Sequence, residues 1–255
     1  MDIEEHQLPN KILVGKTTRN KIISETIKPP FVNISHSMFI FSPPNSGKSC
    51  LINSLLLSKT QYGRCFDNIY LICPPTSRDC FGENSAMNMV SKDKTYDDLN
   101  EETLLEIINK VDADNDIAEE DGEQEFHLLI IDDCYSELVH DKAVIYLIKK
   151  LLANHRHKNL TLWVSNQSYM IPKRLRELFR TYLFFNPVSL KEMERINWEI
   201  LPQFSRKEFE KLMEYSFDKK YNYLLVDKLN NTCCKNMNML KIKCGDKTLV
   251  DINKK

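Results

Sequence analysis

The segment Met38-Phe-Ile-Phe-Ser-Pro-Pro-Asn-Ser-Gly-Lys-Ser49, followed by Cys50-Leu-Ile-Asn-Ser-Leu-Leu-Leu57, carries the strongest signal in the chain. It opens with an apolar run of strand length and ends in a Leu-rich stretch that predicts a helix. Gly47-Lys48-Ser49 lies between the two. Strand, loop and helix in that order fit the phosphate-binding pattern GxxxxGK[ST], with Ser42 in the place of the first glycine. The residue types follow from the chemistry. Backbone N–H groups at a helix N-terminus point at phosphate oxygens, and the helix dipole adds attraction. Gly47 lets the backbone approach without a side chain in the way. Lys48 supplies a point charge for the outer phosphates, and Ser49 a hydroxyl for Mg²⁺. Asn45 is one of the few non-glycine residues that tolerate positive φ. The expected nucleotide contacts are Ser42, Pro43, Pro44, Asn45, Ser46, Gly47, Lys48, Ser49 and Cys50.

A second apolar run, Phe126-His-Leu-Leu-Ile-Ile-Asp-Asp133, ends in two adjacent aspartates. In that position the chemistry assigns Asp132 to the shell of a Mg²⁺ ion, together with Ser49. Asp133 is assigned to the attacking water, as general base. A third run, Leu160-Thr-Leu-Trp-Val-Ser-Asn-Gln167, ends in two amides that can reach a phosphate or a water.

Further short apolar runs, Ile69–Cys73 and Tyr182–Phe185, have the length of strands buried on both faces of a parallel sheet. Val144, Leu147, Ile148 and Leu151 follow helical spacing, so one stripe of that helix faces a core. Alternating strands and helices imply an α/β layered fold. Two amphipathic helices are expected near 188–199 and 205–217, and a further strand at Tyr223–Val226. The expected organisation is an arm over 1–30, a P-loop domain over 31–227 and a polar tail over 228–255.

The chain has 255 residues and a net charge of −1, so duplex binding would need a local basic patch rather than a basic protein. Residues 112–125 hold eight acids and predict a solvated loop. From Lys149 to Arg180 there are eight Lys or Arg against one acid, Glu177. The eight cysteines form no CxxC pair, which argues against zinc. They fit reduced thiols in a cytosol-like compartment. The N-terminus lacks the order of a secretion signal, and no stretch reaches the ~20 apolar residues of a membrane span.

Phosphate loop, Asp-Asp strand and Gln-terminated strand, in that order, resemble the FtsK–HerA superfamily, and within it the poxvirus-type genome-packaging ATPases of large DNA viruses and virophages. The likeness runs over residues 30–227. It includes Pro30-Phe31, the segment Leu128–Asp133, Arg156-His157, Gln167, Ile171-Pro172 and Arg176. It implies a three-layer, RecA/ASCE-like P-loop NTPase with a mostly parallel central sheet, hydrolysing ATP with Mg²⁺. It also implies a homo-oligomeric ring, pentamer or hexamer, that threads double-stranded DNA and engages capsid or portal-vertex proteins, in a virion or a viral factory of the host cytoplasm. Gln167 would sense the γ-phosphate. An arginine would enter the neighbouring subunit's site; Arg156 and Arg176 match the family's arginines, both expected beside strand ends near Gln167, with Arg174 and Arg180 as further candidates.

Other readings carry less. A GTPase would need DxxG after the Asp-Asp strand, which is absent. A nucleotide kinase would need an arginine-rich lid. An AAA+-like ATPase that remodels or loads proteins on DNA shares the same motifs and is the alternative. Intact Lys48, Ser49, Asp132 and Asp133 argue against a nucleotide-binding assembly protein that does not hydrolyse.

Overall fold

The computed structural model describes all residues except 1, 7–26, 28, 29, 33, 60, 79, 80, 83, 84, 188, 245, 246 and 251–255. Most of the expected N-terminal arm lies outside the described residues. Among the described residues, eleven strands form one sheet: β1 (Asp2–His6), β2 (Ser37–Phe41), β3 (Asn68–Ile72), β4 (Thr95–Tyr96), β5 (His127–Asp132), β6 (Leu160–Asn166), β7 (Thr181–Phe185), β8 (Tyr223–Asp227), β9 (Thr232–Lys235), β10 (Asn238–Cys244) and β11 (Lys247–Val250). The order is β1-β10-β9-β8-β7-β2-β6-β5-β3-β4, with β11 beside β10. From β7 to β4 the strands are parallel; from β8 outward they are antiparallel.

Among the described residues, eight α-helices accompany the sheet: α1 (Lys48–Leu57), α2 (Pro75–Arg78), α3 (Glu101–Glu120), α4 (Tyr135–His140), α5 (Lys142–Asn154), α6 (Lys173–Arg176), α7 (Leu190–Ile200) and α8 (Arg206–Ser216). The two faces of the sheet carry separate cores. Phe39 and Phe41 point to one face, with Val144, Leu147, Ile148 and Leu151 of α5 and Phe209 and Leu212 of α8. Met38 and Ile40 point to the other, against Ile52 and Leu55 of α1. The alternation along β2 is the two-residue period of a strand, and burial on both faces explains why the run is apolar throughout. Each such side chain stabilises the fold by about 1.5–3 kcal/mol on burial. The result is the expected three-layer α/β fold with a mostly parallel sheet.

Two regions differ from the sequence expectation. Residues 112–120, read as loop, are the second half of α3. Their acids lie on a helix whose Val111 and Ala118 are buried. The acidic surface pairs inward: Asp112 with Lys158, and Asp114 with the Asn68 amide at 3.1 Å and the Tyr70 hydroxyl at 3.2 Å. The stretch read as a tail from residue 228 instead widens the sheet through β9, β10 and β11. Cys233, Cys234, Leu240 and Ile242 are buried there, which offsets the Asn- and Lys-rich turns between them. Among the described residues no helix is long and apolar enough to cross a membrane.

Candidate active site

The sheet's parallel part places the phosphate loop at a topological switch point. β2 lies between β6 and β7, and the carboxyl ends of parallel strands beside such a point open into a crevice. The loop leaves β2 at Phe41 and enters α1 at Lys48. Asn45 (φ 59°) and Gly47 (φ 96°) take its left-handed positions. Ser42 is not among the described residues with positive φ, so the missing first glycine is not required by the backbone there. Its N–H donates to the Asn166 carbonyl at 3.1 Å, tying the loop to β6.

β6 separates β2 from β5, and this inserted strand brings Gln167, though not the buried Asn166 amide, to the cleft that holds the loop and the aspartates. Asp132 pairs in register with Ser165, and Phe41 with Asn166. Lys48 Nζ lies 3.1 Å from Asp132 Oδ1 and 2.9 Å from Asp133 Oδ1. Burial disfavours the lysine's charge, but the two carboxylates outweigh it and hold the ammonium above the ordinary lysine pKa. Asp133 carries φ 58°, a left-handed conformation that turns its side chain off the strand end into the cleft. Its Oδ1 also accepts from Gln167 Nε2 at 3.5 Å, and its Oδ2 from the Ser77 hydroxyl at 3.2 Å. The cleft has a volume of about 530 Å³, and the nine loop residues predicted from sequence all line it, together with Asp132, Asp133 and Gln167.

The two aspartates differ in setting. Asp132 is 1% exposed, and apart from the ion pair with Lys48 its Oδ1 has no hydrogen-bond donor. The buried Asp132 carboxylate and the Ser49 hydroxyl line one cleft and offer the hard, oxygen-only donors that Mg²⁺ takes, so the residues present fit the ion. Asp133 faces the open cleft and is steered by Ser77, Gln167 and Lys48. Ser77 and Thr76, on the short α2 after β3, and Tyr221, between α8 and β8, line the same cleft and were not found from sequence. They come from connections that carry no motif.

The arginines do not gather where the sequence suggested. Arg176 is 2% exposed. Its guanidinium grips Glu199 of α7 twice, at 2.8 and 2.7 Å, donates to the Ile171 carbonyl, and lies 4.8 Å from the Tyr169 ring. A side chain so enclosed does not reach a neighbouring subunit; Arg176 fixes α7 to the sheet. Arg156 is exposed, but it precedes β6 while Gln167 follows it, roughly 20 Å away at ~3.3 Å per residue. It is not near Gln167 in its own subunit. Arg180 forms a two-pronged pair with Asp227. Arg174 is exposed, with no ion pair among the described residues.

Arg176 and Glu199 make a stability prediction. Removing one partner of a buried pair leaves the other charge unpaired, at ~3–5 kcal/mol. Arg176→Ala is expected to lower the thermal midpoint by that scale. The Glu199 carboxyl is desolvated, but Arg176 and Tyr169 more than offset this and hold it below the usual glutamate range. Its contribution is therefore present above the ordinary glutamate pKa and lost as pH falls through the lowered value. Midpoints of wild type and variant that do not converge on acidification would contradict the assignment.

No family model and no curated protein sequence matches the chain. Solved structures do. B204, the DNA-packaging ATPase of Sulfolobus turreted icosahedral virus, superposes with a TM-score of 0.55 at 17% identity, over 80% of this chain and 98% of B204. The genome packaging NTPase B204 of Sulfolobus turreted icosahedral virus 2, in complex with ATP-gammaS, gives 0.52 at 19% identity, over 78% and 95%. EssC (ATPases 2 and 3) from Geobacillus thermodenitrificans gives 0.52 at 14%, over 84% of this chain but 41% of EssC. At these identities the likeness is one of fold, and together with the phosphate loop on β2 it makes the chain a P-loop NTPase in fold.

Proposed function

We propose that this chain is an ATP-driven motor that packages double-stranded viral DNA into a capsid. The observation that carries the reading is the convergence of Lys48, Asp132, Asp133 and Gln167, from three strand ends, in one cleft beside the phosphate loop. The likeness to B204, a packaging ATPase matched over nearly its whole length, supports DNA as the cargo. A virion or a viral factory is the setting that follows.

In this mechanism the loop N–H groups and Lys48 bind the β- and γ-phosphates. The triphosphate competes with Asp132 and Asp133 for the ammonium, which frees both carboxylates. Ser49 and Asp132 would hold Mg²⁺, which neutralises charge developing on the phosphoryl oxygens. Asp133 takes the proton of the attacking water as its oxygen closes on the γ-phosphorus and the bond to the β-phosphate oxygen breaks. Gln167, in contact with Asp133, is positioned to pass the state of the γ-phosphate to β6. Subunits work as a ring, with Arg156 as the arginine offered to a neighbour.

The basic excess between Lys149 and Arg180 is smaller than its count suggests. Lys158, Lys173, Arg176 and Arg180 are neutralised by Asp112, Glu177, Glu199 and Asp227. Lys149, Lys150 and Arg174 remain exposed and are the proposed phosphate contacts. Each phosphate neutralised on a duplex contributes about −0.9 to the log–log dependence of affinity on salt. Duplex binding is expected to show a slope near −3 per engaged subunit, shallower when the three residues are replaced by Gln. Electron microscopy with nucleotide and duplex is expected to reveal a ring around DNA. Absence of duplex binding at low salt would sink the motor reading.

A further inference from the structure

Tyr221 stands out on three counts. It lies in the turn between α8 and β8 with φ 70°, a conformation in which a bulky side chain is a genuine outlier. It is 58% exposed, so burial of its ring does little to hold that strain. Its ring lies over the phosphate loop: a Cβ on Gly47 would stand 3.2 Å from Tyr221 Cδ1. Gly47 is thus favoured by its own φ, and a Cβ there would press on the tyrosine ring.

The turn is built rather than loose. Asn222 Nδ2 donates to Asp218 Oδ1 at 2.7 Å, and Asn236 Nδ2 donates to Asn222 Oδ1 at 3.0 Å. Asp218 pairs with Lys235 at 2.8 Å. Lys235 and Asn236 belong to the end of β9 and the turn after it, so the strands beyond residue 228 brace the segment carrying Tyr221. Lys220 Nζ lies 4.7 Å from the ring centroid, a cation beside an aromatic face at the mouth of a phosphate cleft. Exposed turn positions with positive φ favour Gly, Asn or Asp. A tyrosine kept there, strained and wet, is explained by a partner for its ring.

We propose that Tyr221 is the platform on which the purine base of the bound nucleoside triphosphate stacks. This rests on the reading of the cleft as a nucleotide site and adds its base-binding half. An aromatic face reads the flat ring system more than its edge groups, so the site takes purine triphosphates broadly.

The test compares ATP with inorganic tripolyphosphate, which has the phosphates and no base. Affinities are measured for wild type, Tyr221→Ala, Tyr221→Phe, Tyr221→Gly and Lys48→Ala. Tyr221→Ala is expected to weaken ATP about tenfold or more, the scale of one base–aromatic stack. Tripolyphosphate binding stays within about twofold, and Tyr221→Phe keeps both ligands. Tyr221→Gly relieves the strained φ, so it raises the thermal midpoint while still weakening ATP. Unchanged ATP affinity in the Ala or Gly variant overturns the proposal. So does a parallel loss of tripolyphosphate, which would make the ring a support of the phosphate loop. Lys48→Ala separates the two readings: it loses both ligands if the cleft binds phosphates, and if it keeps both, the phosphate site itself is wrong.

Discussion

Lys48→Ala is expected to abolish tight ATP binding and to lower turnover by ~10²–10³-fold, the scale of losing one preorganised electrostatic group at a developing charge. The geometry makes the loss hard to compensate. Lys48 is buried where the loop meets α1, and it is the cation that bridges the two aspartates of β5's end. Its removal leaves Asp132 and Asp133 adjacent and unpaired, so the cleft becomes repulsive to a triphosphate. The same removal gives a second readout. Two carboxylates without their lysine destabilise the folded state at neutral pH, though by less than the ~3–5 kcal/mol of a fully enclosed pair, because the cleft is open to water. Equilibrium binding, steady-state turnover and a thermal midpoint check the three parts. Wild-type turnover in this variant would remove the phosphate-loop assignment.

Asp133→Asn is expected to keep ATP bound and lose hydrolysis by ~10²–10⁴-fold, the usual contribution of a general base. The substitution is clean for a structural reason. Residue 133 sits at φ 58°, and Asn accepts left-handed backbone as well as Asp does. The amide keeps the shape and the contact with Ser77 but does not take the water's proton. Asp132→Asn is expected to behave differently. Its oxygen is buried, pairs with Lys48 and lines the cleft that Ser49 also lines, so the variant is expected to lose Mg²⁺ dependence and ATP affinity together. Pre-steady-state binding and turnover at several Mg²⁺ concentrations distinguish the two. If Asp132→Asn binds normally and fails only in hydrolysis, while Asp133→Asn loses Mg²⁺, the roles are exchanged.

Much of this site is legible in the sequence because its parts are local. Strand, loop and helix around Gly47-Lys48-Ser49 announce themselves, and Asp132-Asp133 and Gln167 end apolar runs whose strands converge on that loop. The helices α7 and α8 were expected within two residues of their observed ends. What escaped depends on residues far apart in the chain. Tyr221 and Ser77 reach the cleft from a turn and a one-turn helix with no pattern of their own, and only the sheet order brings them there. Arg176 carries a family-like position, but Glu199, 23 residues on, takes its charge inward. Arg156 and Gln167 flank one strand, and a seven-residue strand puts its flanks at opposite ends of the sheet's strands. The acids of 112–120 read as loop because charge density masks helical spacing, although Leu104, Ile107, Val111 and Ala118 keep it. The strands beyond 228 were hidden by Asn-rich turns, yet Met239, Leu240 and Ile242 are all buried in β10.

Under the proposed function, ATP hydrolysis in this cleft moves the protein along duplex DNA, and displacement of a third strand annealed to a duplex measures that movement directly. With Mg²⁺ and ATP the wild-type protein is expected to strip the third strand at a rate that tracks hydrolysis. Asp133→Asn, expected to keep ATP bound without hydrolysing it, is expected to leave it in place. A wild-type protein that hydrolyses ATP at the same rate with or without duplex, and leaves the third strand annealed, would not be a DNA motor.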